Sequence, residues 1–265
     1  MFNPFQALEL IETEVFLSMP AKFRKKQRTS WSDPNRQNAE VECFLEGPSF
    51  DREGNLWFVD IPFGRIFRIT PKKDWELVTQ YDGWPNGLKI HKDGSIWICD
   101  YKEGLLKLDP KTGKMETILR TAFSEGFKGL NDLHFASNGD LYFTDQGQTG
   151  LHDPTGRIYR YTAAGRLECL IDTVPSPNGL VVNPEENVLY IAVTRGNCIW
   201  RGPLMKDGSL TKVGVFFQLY GPSGPDGLAM DSEGNLAVAH ARSGNVLLFI
   251  KKGVPLLRVE TCAGD

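Results

Sequence analysis

The stretch Asn131-Asp132-Leu133-His134-Phe135-Ala136-Ser137-Asn138-Gly139-Asp140-Leu141-Tyr142-Phe143-Thr144-Asp145 decides the fold. It opens on a polar residue, runs through apolar residues and turns at Ser137-Asn138-Gly139. It then continues as a short segment rich in aromatic and β-branched residues. Gly139 lies eight positions after Asn131. The same offset recurs elsewhere: Glu46 with Gly54, Asn86 with Gly94, Asn178 with Glu186, and Asp226 with Gly234. The five copies start 40, 45, 47 and 48 residues apart. A fixed internal period of this size is the mark of a repeat architecture.

Each copy supplies two strands, and a third follows in several. Gly64–Ile69, Gly104–Leu108, Gly156–Tyr161 and Gly244–Phe249 alternate apolar and polar residues, as half-buried strands do. A weaker fourth segment comes next, as at Trp75–Val78 and Leu167–Ile171. Four short antiparallel strands every 40 to 48 residues predict propeller blades. The expected class is all-β: a six-bladed β-propeller of four-stranded blades, filling residues 1–265 as one domain. Residues 1–40 are an N-terminal extension that helps close the ring. Only five copies are visible. Either five blades are closed with help from Val15–Val41, or a sixth blade is incomplete in this chain. Pro4–Glu14 is the one stretch that suggests a short helix.

Composition fits a globular chain, with 41% hydrophobic and 24% charged residues. The polar stretch Lys22–Asn38 is the one place where disorder is expected. A net charge of −3 argues against a general nucleic-acid binder. The basic run Lys22–Arg28 reads as a solvated loop. Five scattered cysteines without CxxC spacing suggest neither a disulfide framework nor a cysteine zinc site. No signal pattern or membrane-length apolar run is present, so a cytoplasmic setting without membrane attachment is expected. The oligomeric state is not legible.

In a propeller the first strand of each blade lines the central channel. The first residues of the repeats, Glu46, Asn86, Asn131, Asn178 and Asp226, would then project near the axis at one depth. All five offer an oxygen. Mixed carboxylate and amide ligation suits a hard cation such as calcium. No His or Cys falls in the set, against a preference built on soft ligands. The competing reading is that Asn-Gly and Asp-Gly are simply turn pairs. Glu46 breaks that preference, and Pro48, Pro85 and Pro177 stiffen the approach.

The segments Leu45–Asp51, Leu130-Asn131-Asp132, Pro177–Leu180 and Gly224–Ala229 resemble, in order, the signature blocks of the regucalcin/gluconolactonase family. These are six-bladed propellers related to diisopropyl fluorophosphatase. The resemblance covers about residues 41–265. It implies one divalent metal, calcium first and zinc second, held by Glu46, Asn178 and Asp226. Asn131 would be a further ligand or a substrate contact. It implies hydrolysis of lactones, and in some members of phosphotriesters. Sugar lactonases of the family carry Arg two residues before the third-block Asn. Here that residue is Gly129, which argues against a gluconic or similar polyol lactone. The version Gly129-Leu130-Asn131-Asp132 is nearer the bacterial drug-responsive lactonases.

The expected chemistry is metal-activated water attack on a small lactone or ester. Asp226 is the candidate base or only a ligand. His152, in the loop Gln146–Thr155, and His240, at the end of a second strand, are the candidate substrate contacts. Packed or surface histidines are the bland alternative for both, as for His91 and His134. No Gly-x-Ser-x-Gly elbow is present. The rival functions are an organophosphate or other ester hydrolase at the same metal and a non-catalytic calcium-binding propeller.

Overall fold

The computed structural model describes residues 8–221 and 224–262. Five four-stranded antiparallel blades are formed, one per repeat. The first runs Leu45–Phe50, Leu56–Asp60, Arg65–Ile69 and Trp75–Gln80. The second runs Pro85–Ile90, Ile96–Asp100, Gly104–Leu108 and Met115–Leu119. The third contains Leu130–Phe135, Leu141–Asp145, Gly156–Tyr161 and Leu167–Val174. The fourth contains Pro177–Val182, Val188–Val193, Cys198–Pro203 and Gly214–Gln218. The fifth contains Leu228–Met230, Leu236–His240, Asn245–Phe249 and Pro255–Glu260. A sixth blade is not formed by the described residues.

The first turn of each repeat is closed by its own polar residue. Asp51 Oδ1 accepts the amides of Glu53 (3.0 Å) and Asn55 (2.8 Å), and Asp231 does the same for Glu233 and Asn235. A carboxylate that holds the backbone two and four residues on makes the turn local and cheap to form.

Two compact units are distinguished, Leu17–Phe135 and a second made of Met1–Phe16 with Ala136–Asp265. In the first, the blades pack through Trp57, Val59, Ile66, Leu88, Ile96, Ile98 and Leu106, all fully buried. Phe67 stacks on Phe58 (5.7 Å between centroids) and meets Trp75 edge-on. Each such side chain contributes roughly 1.5–3 kcal/mol by leaving water. Leu17, Met19 and Phe23 cover this aromatic group, and Trp31 and Val41 join the neighbouring core. The stretch expected to be disordered is therefore ordered here, with a helical turn at Ala21–Phe23 and a one-turn helix at Ser32–Asn35. In the second unit, Leu180, Leu189 and Ile191 centre one core, and Val181, Leu228, Val238 and Phe249 the next.

The expected helix at Pro4–Glu14 is not found. Glu9–Glu12 is a strand, added in parallel to the outer edge of Pro255–Glu260. Residues 4–7 lie outside the described residues. An unpaired strand edge offers a row of backbone partners, and that outweighs a weak helical pattern. All five cysteines are free thiols. No helix of the described residues is long and apolar enough to cross a membrane.

Candidate metal and catalytic site

The first strands share a local irregularity. In the first blade Glu46 faces Val59, but Ser49 faces Trp57, so one extra residue sits on the inner strand. The same shift lies between Pro85 and Leu88 and between Pro177 and Leu180. Each is a β-bulge, and each falls on the repeat's opening pair: Glu46-Gly47, Asn86-Gly87 and Asn178-Gly179. Bulges re-aim side chains and gather beside functional sites.

The glycines follow from how closely these strands approach. A Cβ on Gly87 would stand 2.6 Å from the Asn131 carbonyl oxygen, and one on Gly47 2.6 Å from that of Asn86. Within the first unit, Glu46, Asn86 and Asn131 therefore open three strands that lie shoulder to shoulder. Gly47 also takes the left-handed conformation (φ +59°). In the second unit Gly179 N–H donates to the Asp226 carbonyl (3.1 Å), and its Cβ would meet that oxygen at 2.6 Å. Asn178 and Asp226 are neighbours of the same kind. The register expected from the repeats is thus present within each unit. Glu46, Asn86, Asn178 and Asp226 are half-buried, and Asn131 is buried.

Gly129 has its own cause. It adopts φ +147°, and a Cβ there would lie 2.3 Å from the Tyr101 ring. Tyr101 fills the space that a longer side chain at 129 would need.

A second set of residues was not foreseen. The second strands end at one shared position, held by Asp60, Asp100, Asp145, Val193 and His240. Asp60 accepts from the Phe44 amide (2.7 Å) and from Arg65 Nε (2.7 Å). Asp100 accepts from the Tyr81 hydroxyl and the Lys102 and Glu103 amides, each at 2.8 Å. Burial raises the pKa of both carboxyls above the ordinary carboxylate value, against the pull of these donors. These acids tether loops. The run of Asp at the end of three second strands was the signal that could have revealed them.

His240 is 5% exposed, and its Nδ1 lies 2.7 Å from Ser243 Oγ. Its Nε2 is buried, with no hydrogen-bond partner among the described residues. His152 is exposed in its loop, so close to Gly150 that a Cβ there would stand 3.1 Å from Nδ1. Among the described residues no three His, Cys, Asp or Glu side chains gather as a metal site. The expected donor set holds just two carboxylates, Glu46 and Asp226, and completes itself with carboxamide oxygens. That chemistry fits a hard cation.

The fold agrees with the comparisons with known proteins. Residues 44–263 match the SMP-30/gluconolactonase/LRE-like region, and the chain belongs to that family. It is 30% identical over 251 residues to the lactonase drp35 of Staphylococcus aureus, covering 90% of this chain and 76% of the relative. Among solved structures it is similar to a gluconolactonase of Xanthomonas campestris (TM-score 0.75, 22% identity, 83% of this chain and 77% of that one). It is also similar to regucalcin, a calcium-binding protein of Agrobacterium tumefaciens (TM-score 0.73, 22% identity, 96% of this chain and 80% of that one). The all-β propeller and the family are both as expected from the sequence.

Proposed function

We propose that this chain is a metal-dependent hydrolase that opens a small lactone. The carrying observation is the recurrence of an oxygen-bearing residue on the bulge that opens the inner strands, in a family whose named relatives include lactonases. Glu46, Asn178 and Asp226 would hold one divalent cation, with Asn131 beside them. Calcium is preferred over zinc, because every donor is an oxygen. When bound, the cation would polarise the ester carbonyl and offset the charge that builds on its oxygen.

The chain's own groups do the rest. Asp226 takes a proton from the attacking water. Asn131 and Asn178 turn their amide dipoles to the reacting group. His152 and His240 contact the substrate. With Gly129 set against Tyr101, no side chain at that position can reach a polyol, so the favoured substrate is a smaller or less hydroxylated lactone.

The reading takes residues 1–265 as one propeller domain of six-bladed type, with 1–40 an extension that helps close the ring, acting in the cytoplasm without nucleic acid. The calcium-binding regucalcin of Agrobacterium tumefaciens supports a second reading, a non-catalytic calcium-binding propeller. Metal analysis of the purified protein, followed by a panel of lactones and phosphotriesters with and without chelator, separates the two. Calcium or zinc near one per chain with chelator-sensitive lactone opening is expected. Iron or copper in place of both would refute the ligand assignment. Phosphotriesters alone being hydrolysed would move the substrate to organophosphates.

A further inference from the structure

His240 has two hydrogen-bonding nitrogens, and the two contacts of Ser243 assign a role to each. Ser243 Oγ lies 2.7 Å from the His240 carbonyl oxygen and 2.7 Å from Nδ1. A carbonyl oxygen only accepts, so the single serine hydrogen must lie toward it. Nδ1 must then carry the proton and donate to Oγ. A neutral imidazole has one N–H, so Nε2 is left as a bare acceptor.

That lone pair is buried and has no donor among the described residues. Two of the acids at this position spend their acceptors fully: both oxygens of Asp60 and both of Asp100 are taken. In the fourth blade the position is Val193, which needs nothing. His240 keeps an acceptor in reserve, although a buried acceptor without a donor weighs against folding. Its place is also specific. The Asp226 amide donates to the Ala239 carbonyl (2.8 Å), and the Ala239 amide to Gly227 (3.0 Å). His240 is therefore one residue beyond the cross-strand partner of the candidate base.

We propose that Nε2 of His240 accepts a hydrogen bond from the substrate, and that the enzyme selects lactones carrying a hydroxyl or amide N–H next to the ester. This deepens, and rests on, the lactonase reading above. His240 positions the ring, and Ser243 acts through it by holding the tautomer.

The test compares γ-butyrolactone with α-hydroxy-γ-butyrolactone as substrates of the calcium-loaded full chain. Wild type should favour the hydroxylated ring by about three- to tenfold in kcat/KM, the range one hydrogen bond supplies. His240→Asn keeps an N–H for Ser243 but has nothing at the Nε2 position. It should bring that ratio close to one, chiefly through KM for the hydroxylated lactone, with its thermal midpoint held near that of wild type. Ser243→Ala should lower the ratio part of the way. An unchanged ratio in His240→Asn overturns the proposal. Should wild type open neither lactone, the lactonase reading fails separately. Long-range proton–nitrogen NMR then decides the histidine. A bare Nε2 whose resonance moves when α-hydroxy-γ-butyrolactone is added supports the assignment. A protonated Nε2, or one that does not move, refutes it.

Discussion

Two kinds of carboxylate sit at neighbouring places in these blades, and burial separates them. Asp60 and Asp100 are fully buried and satisfied by fixed donors, whereas Glu46 and Asp226 are half-buried at the strand openings. The first kind holds loops, and the second is the kind proposed above to hold the metal. Asp226→Asn should therefore cost about 10²- to 10⁴-fold in kcat for lactone opening, the range of a lost general base. A stopped assay at saturating substrate measures it, and full activity would leave Asp226 a ligand at most. Asp100 has a different signature. Its pKa is raised by burial, so its contribution to stability is complete below the ordinary carboxylate value and is lost as pH rises through the raised value. Urea unfolding from pH 4 upward should show wild type losing stability from this source. Asp100→Asn should flatten that decline.

The repeating element is the bulged inner strand, and it explains why glycine follows the donor residue. Gly179→Ala would drive a Cβ toward the Asp226 carbonyl and the Leu228 amide, both backbone atoms at about the same short distance. Backbone cannot swing away as a side chain tip can. The substitution should lower stability by roughly 1–3 kcal/mol, read from chemical denaturation, and weaken metal binding together with it. Much of this element was legible in advance. The eight-residue offset placed Leu56–Asp60, Ile96–Asp100 and Leu141–Asp145, and the strands Gly104–Leu108 and Gly156–Tyr161 match their expected bounds. The outer strands were harder. Cys198–Pro203 begins after Gly196-Asn197 with no strong alternation, and Pro255–Glu260 is recognisable by its pairing with Asn245–Phe249. Glu9–Glu12 could not be read locally at all, because its partner lies some 250 residues away and pairs in parallel. The candidate ligands were legible because repetition put five oxygen-bearing residues in one register. Ser243, which sets the tautomer of His240, was not, since nothing in a lone serine three residues downstream marks it.

For the molecule as a whole, the all-β propeller and the family membership fix the scaffold, and the donor array on its inner strands carries the functional reading. A charge of −3 and free thiols accord with a small-molecule enzyme and exclude nothing further. Glu46→Gln removes half of the carboxylate charge of the expected site while keeping its shape. It should raise the calcium concentration needed for half-maximal activity by about tenfold or more, since a hard cation depends on that charge. Calcium titration of activity measures this, and an unaltered midpoint would remove Glu46 from the site. The central claim is that lactone opening depends on a metal held by this chain. The direct measurement is a pH-stat rate of lactone opening by chelator-stripped protein as calcium is added back. The account predicts no rate above background without metal and a saturable recovery near one ion per chain. An undiminished rate in the stripped protein would contradict it.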